Sequence, residues 1–314
     1  MSVVSELRRA AGSGPKRPAA RTPLRRGDGR AAAVFLLPWF AGLFLVTIGP
    51  MIASGYLAFT DYSLLAPPEW VGLDNFARLA EDSRLHNALR VTFTYVFTGV
   101  PLQLMLALAL AMILDRGMRG LAFYRSVFYL PSLLGGSVAI AILWRQIFGV
   151  EGLVNGFLAL VNHPGRGWVS DPDTALWTIV LLHVWTFGSP MIIFLAGLRQ
   201  IPEMYYEAAS IDGAGKVRQF LHITLPLLTP IVFFNLVLQV IGAFQSFTQA
   251  FVVSGGTGGP ADSTMFITLY LYQKGFTDFD MGYASAIAWL LVLIIGALTA
   301  INFLASKFWV FYDD

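Results

Sequence analysis

Six long apolar stretches separated by short polar ones set the pattern of this chain. The predicted spans run over about Ala33–Phe59, Arg90–Leu114, Phe128–Phe148, Ala175–Leu198, Pro226–Val253 and Gly282–Ala305. Each approaches or exceeds the roughly 20 residues that an α-helix needs to cross a bilayer. The runs are continuous rather than alternating, which argues against a β-barrel. Pro38 and Pro50 are expected to kink the first span, and Pro190 lies inside the fourth. The pattern therefore predicts an all-α polytopic membrane protein with six transmembrane helices.

Composition agrees with this. Of the 314 residues, 56% are hydrophobic and 13% charged, where a soluble domain carries about 25% charged residues. Mean hydropathy is +0.64. The net charge of +2 hides an asymmetry, because eight of the 21 Lys/Arg but two of the 19 Asp/Glu lie within residues 1–30. That Arg-, Ala-, Gly- and Pro-rich tail cannot bury a core and is expected to be disordered. It reads as an orienting cytoplasmic segment rather than a nucleic-acid arm or a cleaved leader. The domains are thus a tail at 1–30 and a membrane domain at 31–314. Arg116, Arg119, Arg125, Arg199, Lys216, Arg218 and Lys307 fall on the same side as the tail in a six-span layout. The acid-leaning Asp61–His86 segment and the loop carrying Glu151, Asp171 and Asp173 fall on the other. Charge thus predicts N-in/C-in topology.

Between spans four and five lies a polar island at 202–222. Pro202 stands where a helix tolerates it, and Glu203 and Glu207 place negative charge early in that helix. Ala208 and Ala209 keep one face small. Gly213 and Gly215 permit a turn, and a second short helix with Lys216 and Arg218 leads to Pro226. The series Glu207-Ala208-Ala209, then Gly213, then Ile223-x-Leu225-Pro226 resembles the EAA loop of permease subunits in binding-protein-dependent ABC importers. The Pro67–Phe76 stretch and the C-terminal Ser306–Tyr312 are similar to the carbohydrate branch, of the maltose-type first permease. The likeness runs from about residue 33 to the end.

What the resemblance implies is a type I permease fold and a multi-pass place in the bacterial cytoplasmic (inner) membrane. The elbow would be a cytoplasmic coupling helix, with Glu207, Ala208, Ala209, Gly213, Ile223, Leu225 and Pro226 carrying ATPase coupling. Implied partners are a second homologous permease in a heterodimer, two cytoplasmic ATPase subunits, which hold ATP and magnesium, and an extracytoplasmic sugar-binding protein. Membrane lipid surrounds the spans, and no nucleic-acid partner is expected. The function implied is ATP-driven import of a sugar or oligosaccharide by alternating access. The alternative is an ion-coupled sugar transporter or channel without ATPases.

The chain itself shows no catalytic, cofactor or metal constellation. There is no cysteine, and His86, His163, His183 and His222 lack ligand spacing. Gly213-Ala214-Gly215-Lys216 departs from a phosphate loop, since position 210 is Ser, position 217 is Val and no strand precedes it. The Gly255–Pro260 loop reads as a connector. No Asp or Glu lies within the spans, which points to energy from a partner rather than a proton or sodium carrier. Basic side chains are also read as absent from the spans, which disfavours a phosphate ester as cargo. On a straight fifth span Asn235, Gln239, Gly242, Ser246 and Gln249 share an arc of about 80°, with Gln245 at its edge. Neutral amides would be costly against lipid, so this stripe faces another helix or a sugar pathway, where amides match hydroxyls. Trp185, inside span four, is a further pathway candidate. Tyr270 and Tyr272 read as members of an interfacial aromatic belt.

Overall fold

A computed structural model of the chain describes residues 28–117 and 120–311. The predicted disorder of the tail, Arg119 and Tyr312 lie outside the described residues, the tail up to residue 27. The chain divides into two compact units between Ala53 and Ser54. The first is helical, and its apolar side chains from Val34 to Ile52 are mostly exposed, as a lipid-facing helix requires. Helix α1 (Asp28–Gly42) contains Pro38, and a π-helical stretch, Leu43–Ile48, joins it to α2 (Gly49–Leu57). The distortion lies between the two prolines. Pro50 has no N–H to give to the preceding turn, and the Gly49 amide already reaches back five residues to the Phe44 carbonyl.

In the second unit a two-residue antiparallel pair, β1 (Thr60–Asp61) and β2 (Glu69–Trp70), precedes α3 (Asp74–Glu81). Helix α4 (Ser83–Asp115) is the axis of the fold. It starts seven residues before the predicted span because the Asp82 carboxylate caps it, accepting from the Arg84 and Leu85 amides at 3.0 and 3.1 Å. Small residues on its buried face, Ala88, Gly99, Ala107 and Ala111, let neighbouring helices approach.

Span three is not one helix. It consists of α5 (Leu121–Leu134) and α6 (Val138–Ile147), bent by 95° at Gly135-Gly136-Ser137. The loop after it contains α7 (Leu153–Leu160). Span four consists of α8 (Pro172–Trp185) and α9 (Gly188–Leu198), bent by 41°. The bend lies at Thr186-Phe187 rather than at Pro190, which sits in the first turn of α9 where no amide donor is required. The elbow is α10 (Glu203–Ile211) and α11 (Lys216–Gln219), followed by a π stretch, Phe220–Thr224. Span five is α12 (Leu225–Phe244), broken at 245–247, then α13 (Thr248–Val253). Helix α14 (Ile267–Tyr272) and a further π stretch, Gln273–Thr277, lead into α15 (Met281–Trp309), the last span. Helix α4 packs against α8, α9 and α12, and α12 against α15. Among the described residues four helices are long and apolar enough to cross a membrane alone, and up to six spans result if each bent pair is one.

Candidate functional site

The elbow is built to present a surface. Pro202 is the N-cap of α10, with Glu203 in its first turn, and no side chain of the helix is buried. Gly213 adopts φ +78°, a left-handed turn open to glycine at little cost. One polar tie holds the element to the stretch leading into span five, and another joins its two helices. The Tyr206 hydroxyl lies 2.9 Å from Thr224 Oγ1, and Gln219 Nε2 donates to Ser210 Oγ at 2.9 Å and to the Ala214 carbonyl at 3.1 Å. Glu207 and Ala208 are exposed, Ala209 is half-buried, and Ile223, Leu225 and Pro226 are half-buried at the start of span five. Met204, Ile211, Val217 and Leu221 expose half or more of their surface. The C-terminal segment comes back to this end, where the Phe311 amide donates to Thr229 Oγ1 at 2.9 Å.

A second site forms where the three broken spans meet. At the span-four break, Gln103 Nε2 of α4 lies 3.1 Å from the His183 and Thr186 carbonyls and 2.9 Å from Thr186 Oγ1. Ser132 Oγ of span three donates to the Thr186 carbonyl at 2.8 Å and accepts from the Ser189 amide at 2.8 Å. A Cβ on Gly135, at the span-three break, would fall on the Thr186 methyl. The Gly135 carbonyl accepts from Gln249 Nε2 at 3.2 Å. Gln249 Oε1 accepts from Ser246 Oγ at 3.1 Å, and the Ser246 carbonyl accepts from Thr268 Oγ1 at 2.5 Å. Discontinuous helices within a bundle free backbone groups for recognition. Here those groups are joined by neutral amides and hydroxyls. Gln103 Oε1, His183 Nε2 and Asn235 Oδ1 are buried with no partner among the described residues, and each can accept a hydroxyl proton.

The predicted stripe is only partly realised. The break at 245–247 splits it, so Ser246 and Gln249 leave the arc drawn for a straight helix and serve the three-break cluster. Asn235 is buried and donates to the Ile231 carbonyl of its own helix at 3.1 Å. Gln239 is half-buried, whereas Gly242 and Gln245 are exposed. Trp185, the last residue of α8, is half-buried against Trp144 with ring centroids 5.9 Å apart. Sequence reasoning missed Gln103, Ser132, Gly135 and Thr186. The Gly135-Gly136 pair was the available signal. Basic residues are not absent from the spans either, since Arg145 stands in the last turn of α6, within the predicted third span.

A third cluster closes the far end of the bundle. Asp82 Oδ2 accepts from the hydroxyls of Tyr270 and Tyr283, both at 2.6 Å. Tyr270 is therefore no belt residue, being buried and engaged by a carboxylate, and Tyr272 packs against Phe247, Phe251 and Phe276. Arg78 pairs with Asp280 at 2.8 Å and lies 4.2 Å over the Tyr283 ring. Arg84 grips Asp262 through Nε and Nη2 at 2.8 and 3.0 Å. Partial burial pushes the Asp82 carboxyl pKa up, but the hydrogen bonds from Tyr270, Tyr283, Leu85 and Arg84 outweigh it and hold it below the usual carboxylate value. Among the described residues no three His, Asp or Glu side chains converge to hold a metal ion.

An exposed helical elbow on a bundle of broken spans defines a membrane transport subunit. A family model described as "Binding-protein-dependent transport system inner membrane component" matches residues 76–308, and the chain belongs to that family. It is thus an inner-membrane permease subunit of an ABC importer, in which separate subunits hydrolyse ATP. Among curated relatives, the probable ABC transporter permease protein YesP of Bacillus subtilis (strain 168) is 51% identical over 92% of this chain and 94% of its own. The lactose transport system permease protein LacF of Rhizobium radiobacter is 30% identical over 91% and 97%. Among solved structures, a bacterial alginate ABC transporter in complex with an alginate pentasaccharide-bound periplasmic protein aligns with a TM-score of 0.75 at 20% identity, over 90% and 95% of the two chains.

Proposed function

We propose that this permease subunit carries a sugar or oligosaccharide inward by alternating access, with the elbow as its dock for a cytoplasmic ATPase. The observation that carries this reading is the elbow itself. A helix that buries none of its side chains, and exposes Met204 and Ile211 with Val217 and Leu221 beside them, is a surface awaiting a partner. Glu207, Ala208, Ala209 and Gly213 shape it, and Ile223, Leu225 and Pro226 anchor it to span five. The elbow end then faces the cytoplasm, with both chain termini on that side. The complex comprises a second permease, two ATPase subunits that bind ATP and magnesium, and an extracytoplasmic binding protein.

The cargo reading is supported by the chemistry of the three-break cluster and by relatives whose names specify sugars, lactose among them. Gln249 and Ser246 at the cluster, and Asn235, Gln239, Gly242, Gln245 and Trp185 as further pathway candidates, offer neutral donors, acceptors, a small position and a ring face to a polyhydroxylated ligand. The test is purification of the tagged chain from its native membranes in mild detergent. An ATPase and a second permease should accompany the wild type. Ala208→Asp and Gly213→Leu should insert normally but lose the ATPase. A side chain at φ +78° costs about 1–2 kcal/mol, and a new charge at Ala208 spoils a close contact. Full ATPase retention in both variants would overturn the docking role.

A further inference from the structure

At the far end of the bundle, α6, the segment preceding α8 and the end of α13 line an open cleft of about 530 Å³, within the range of small-ligand sites. Arg145 lines it, together with Ser170, Ser254, Thr257, Val169 and Val253. No Asp or Glu does. Arg145 is exposed, with no ion pair and no side-chain hydrogen bond among the described residues. The hydroxyls are in the opposite condition. Ser170 Oγ donates to the Gly167 carbonyl at 3.2 Å, Ser254 Oγ to Ala250 at 2.6 Å and Thr257 Oγ1 to Ser254 at 2.8 Å. Their protons are spent inside the chain, and Ser254 Oγ and Thr257 Oγ1 also accept from the Gly258 and Gly259 amides at 3.2 and 3.4 Å, so toward the cleft each oxygen keeps at least one lone pair as an acceptor. Among these side chains the guanidinium is the uncommitted donor.

We infer that this cleft is a recognition site for saccharides that carry a carboxylate, uronic acids in particular, with Arg145 holding the acid. This rests on the sugar-permease reading above and narrows its cargo. Guanidinium and carboxylate match as a two-pronged, charge-assisted pair. The sugar hydroxyls donate to Ser170, Ser254 and Thr257, and Val169 and Val253 meet the C–H face of the ring. Two helices run from the three-break cluster to the cleft. Helix α6 runs from the Gly135 break to Arg145, about 12 Å at 1.5 Å per residue. Helix α13 runs from Gln249, bonded to the Gly135 carbonyl, to Val253 at the cleft. A saccharide chain anchored by its acid at Arg145 is thereby directed toward the neutral amides.

The full chain in phosphatidylcholine nanodiscs, titrated calorimetrically with digalacturonate and with its dimethyl ester, tests this. The acid should bind at least about tenfold more tightly than the ester, the difference expected for one charge-assisted contact. Arg145→Gln should remove that preference and Arg145→Lys should keep part of it. Equal affinity for acid and ester with Arg145→Gln unchanged would overturn the inference and leave Arg145 as an anchor to lipid headgroups. Binding of neither compound would overturn the cleft as a saccharide site. The permease reading fails by its own readout, absence of a co-purifying ATPase, so the two failures are separable.

Discussion

Asp82 accepts four hydrogen bonds at once. One oxygen caps α4 and the other accepts two tyrosine hydroxyls from α14 and α15. Asp82→Ala removes the cap and leaves two phenols without their acceptor, so it should cost about 2–3 kcal/mol, in the range of hydrogen bonds to charged groups. Asp82→Asn, which keeps an oxygen, should cost less. The carboxyl pKa is lowered in the folded protein. Its contribution is therefore fully present above the ordinary carboxylate range, near pH 4, and is lost only as pH falls through the lower folded value. The thermal midpoint of the detergent-purified chain should show a gap between wild type and Asp82→Ala at pH 7 that persists to about pH 4 and closes below it. A gap that closes between pH 6 and 5 would mean that another group controls the clasp.

At the scale of elements, the three breaks act as one joint. Gln249→Leu roughly keeps the volume of the side chain but leaves the Gly135 carbonyl without its donor and Ser246 Oγ without its acceptor. Transport should fall while assembly with partner subunits is retained, read as uptake in cells against co-purification. Normal uptake from a complex that falls apart would make Gln249 a helix-packing residue alone. The spans were legible in the sequence because apolar runs of bilayer length have few other uses. The elbow was legible because Pro202, Gly213 and a polar island interrupt those runs. The breaks were not. Gly135-Gly136 and Thr186-Phe187 sit inside continuous apolar stretches, and the carbonyls freed at the bends are captured by side chains, Gln103 and Ser132 at Thr186 and Gln249 at Gly135, contacts 50 or more residues distant in sequence. The stripe in span five failed beyond Phe244 for the same reason, since a 100° wheel assumes a helix that does not stop.

At the scale of the whole molecule, orientation decides what each end can do. The clasp of Asp82, Arg78–Asp280 and Arg84–Asp262 and the cleft at Arg145 occupy the end opposite the elbow. The elbow end carries Arg199, paired with Asp115 at 3.4 Å, and Lys216, Arg218 and Lys307. Positive charge near short loops stays on the cytoplasmic side, so the elbow should be inside and the clasp outside. The chain contains no cysteine, which makes single introduced thiols clean reporters. His163 is exposed between α7 and α8, and Ile211 is 87% exposed at the end of α10. In cells whose outer membrane has been made permeable, an impermeant maleimide should label His163→Cys and spare Ile211→Cys. Inside-out vesicles should reverse the pattern. Labelling of Ile211→Cys from outside would place the elbow where no cytoplasmic ATPase can reach it, and both the topology and the docking role would fall together.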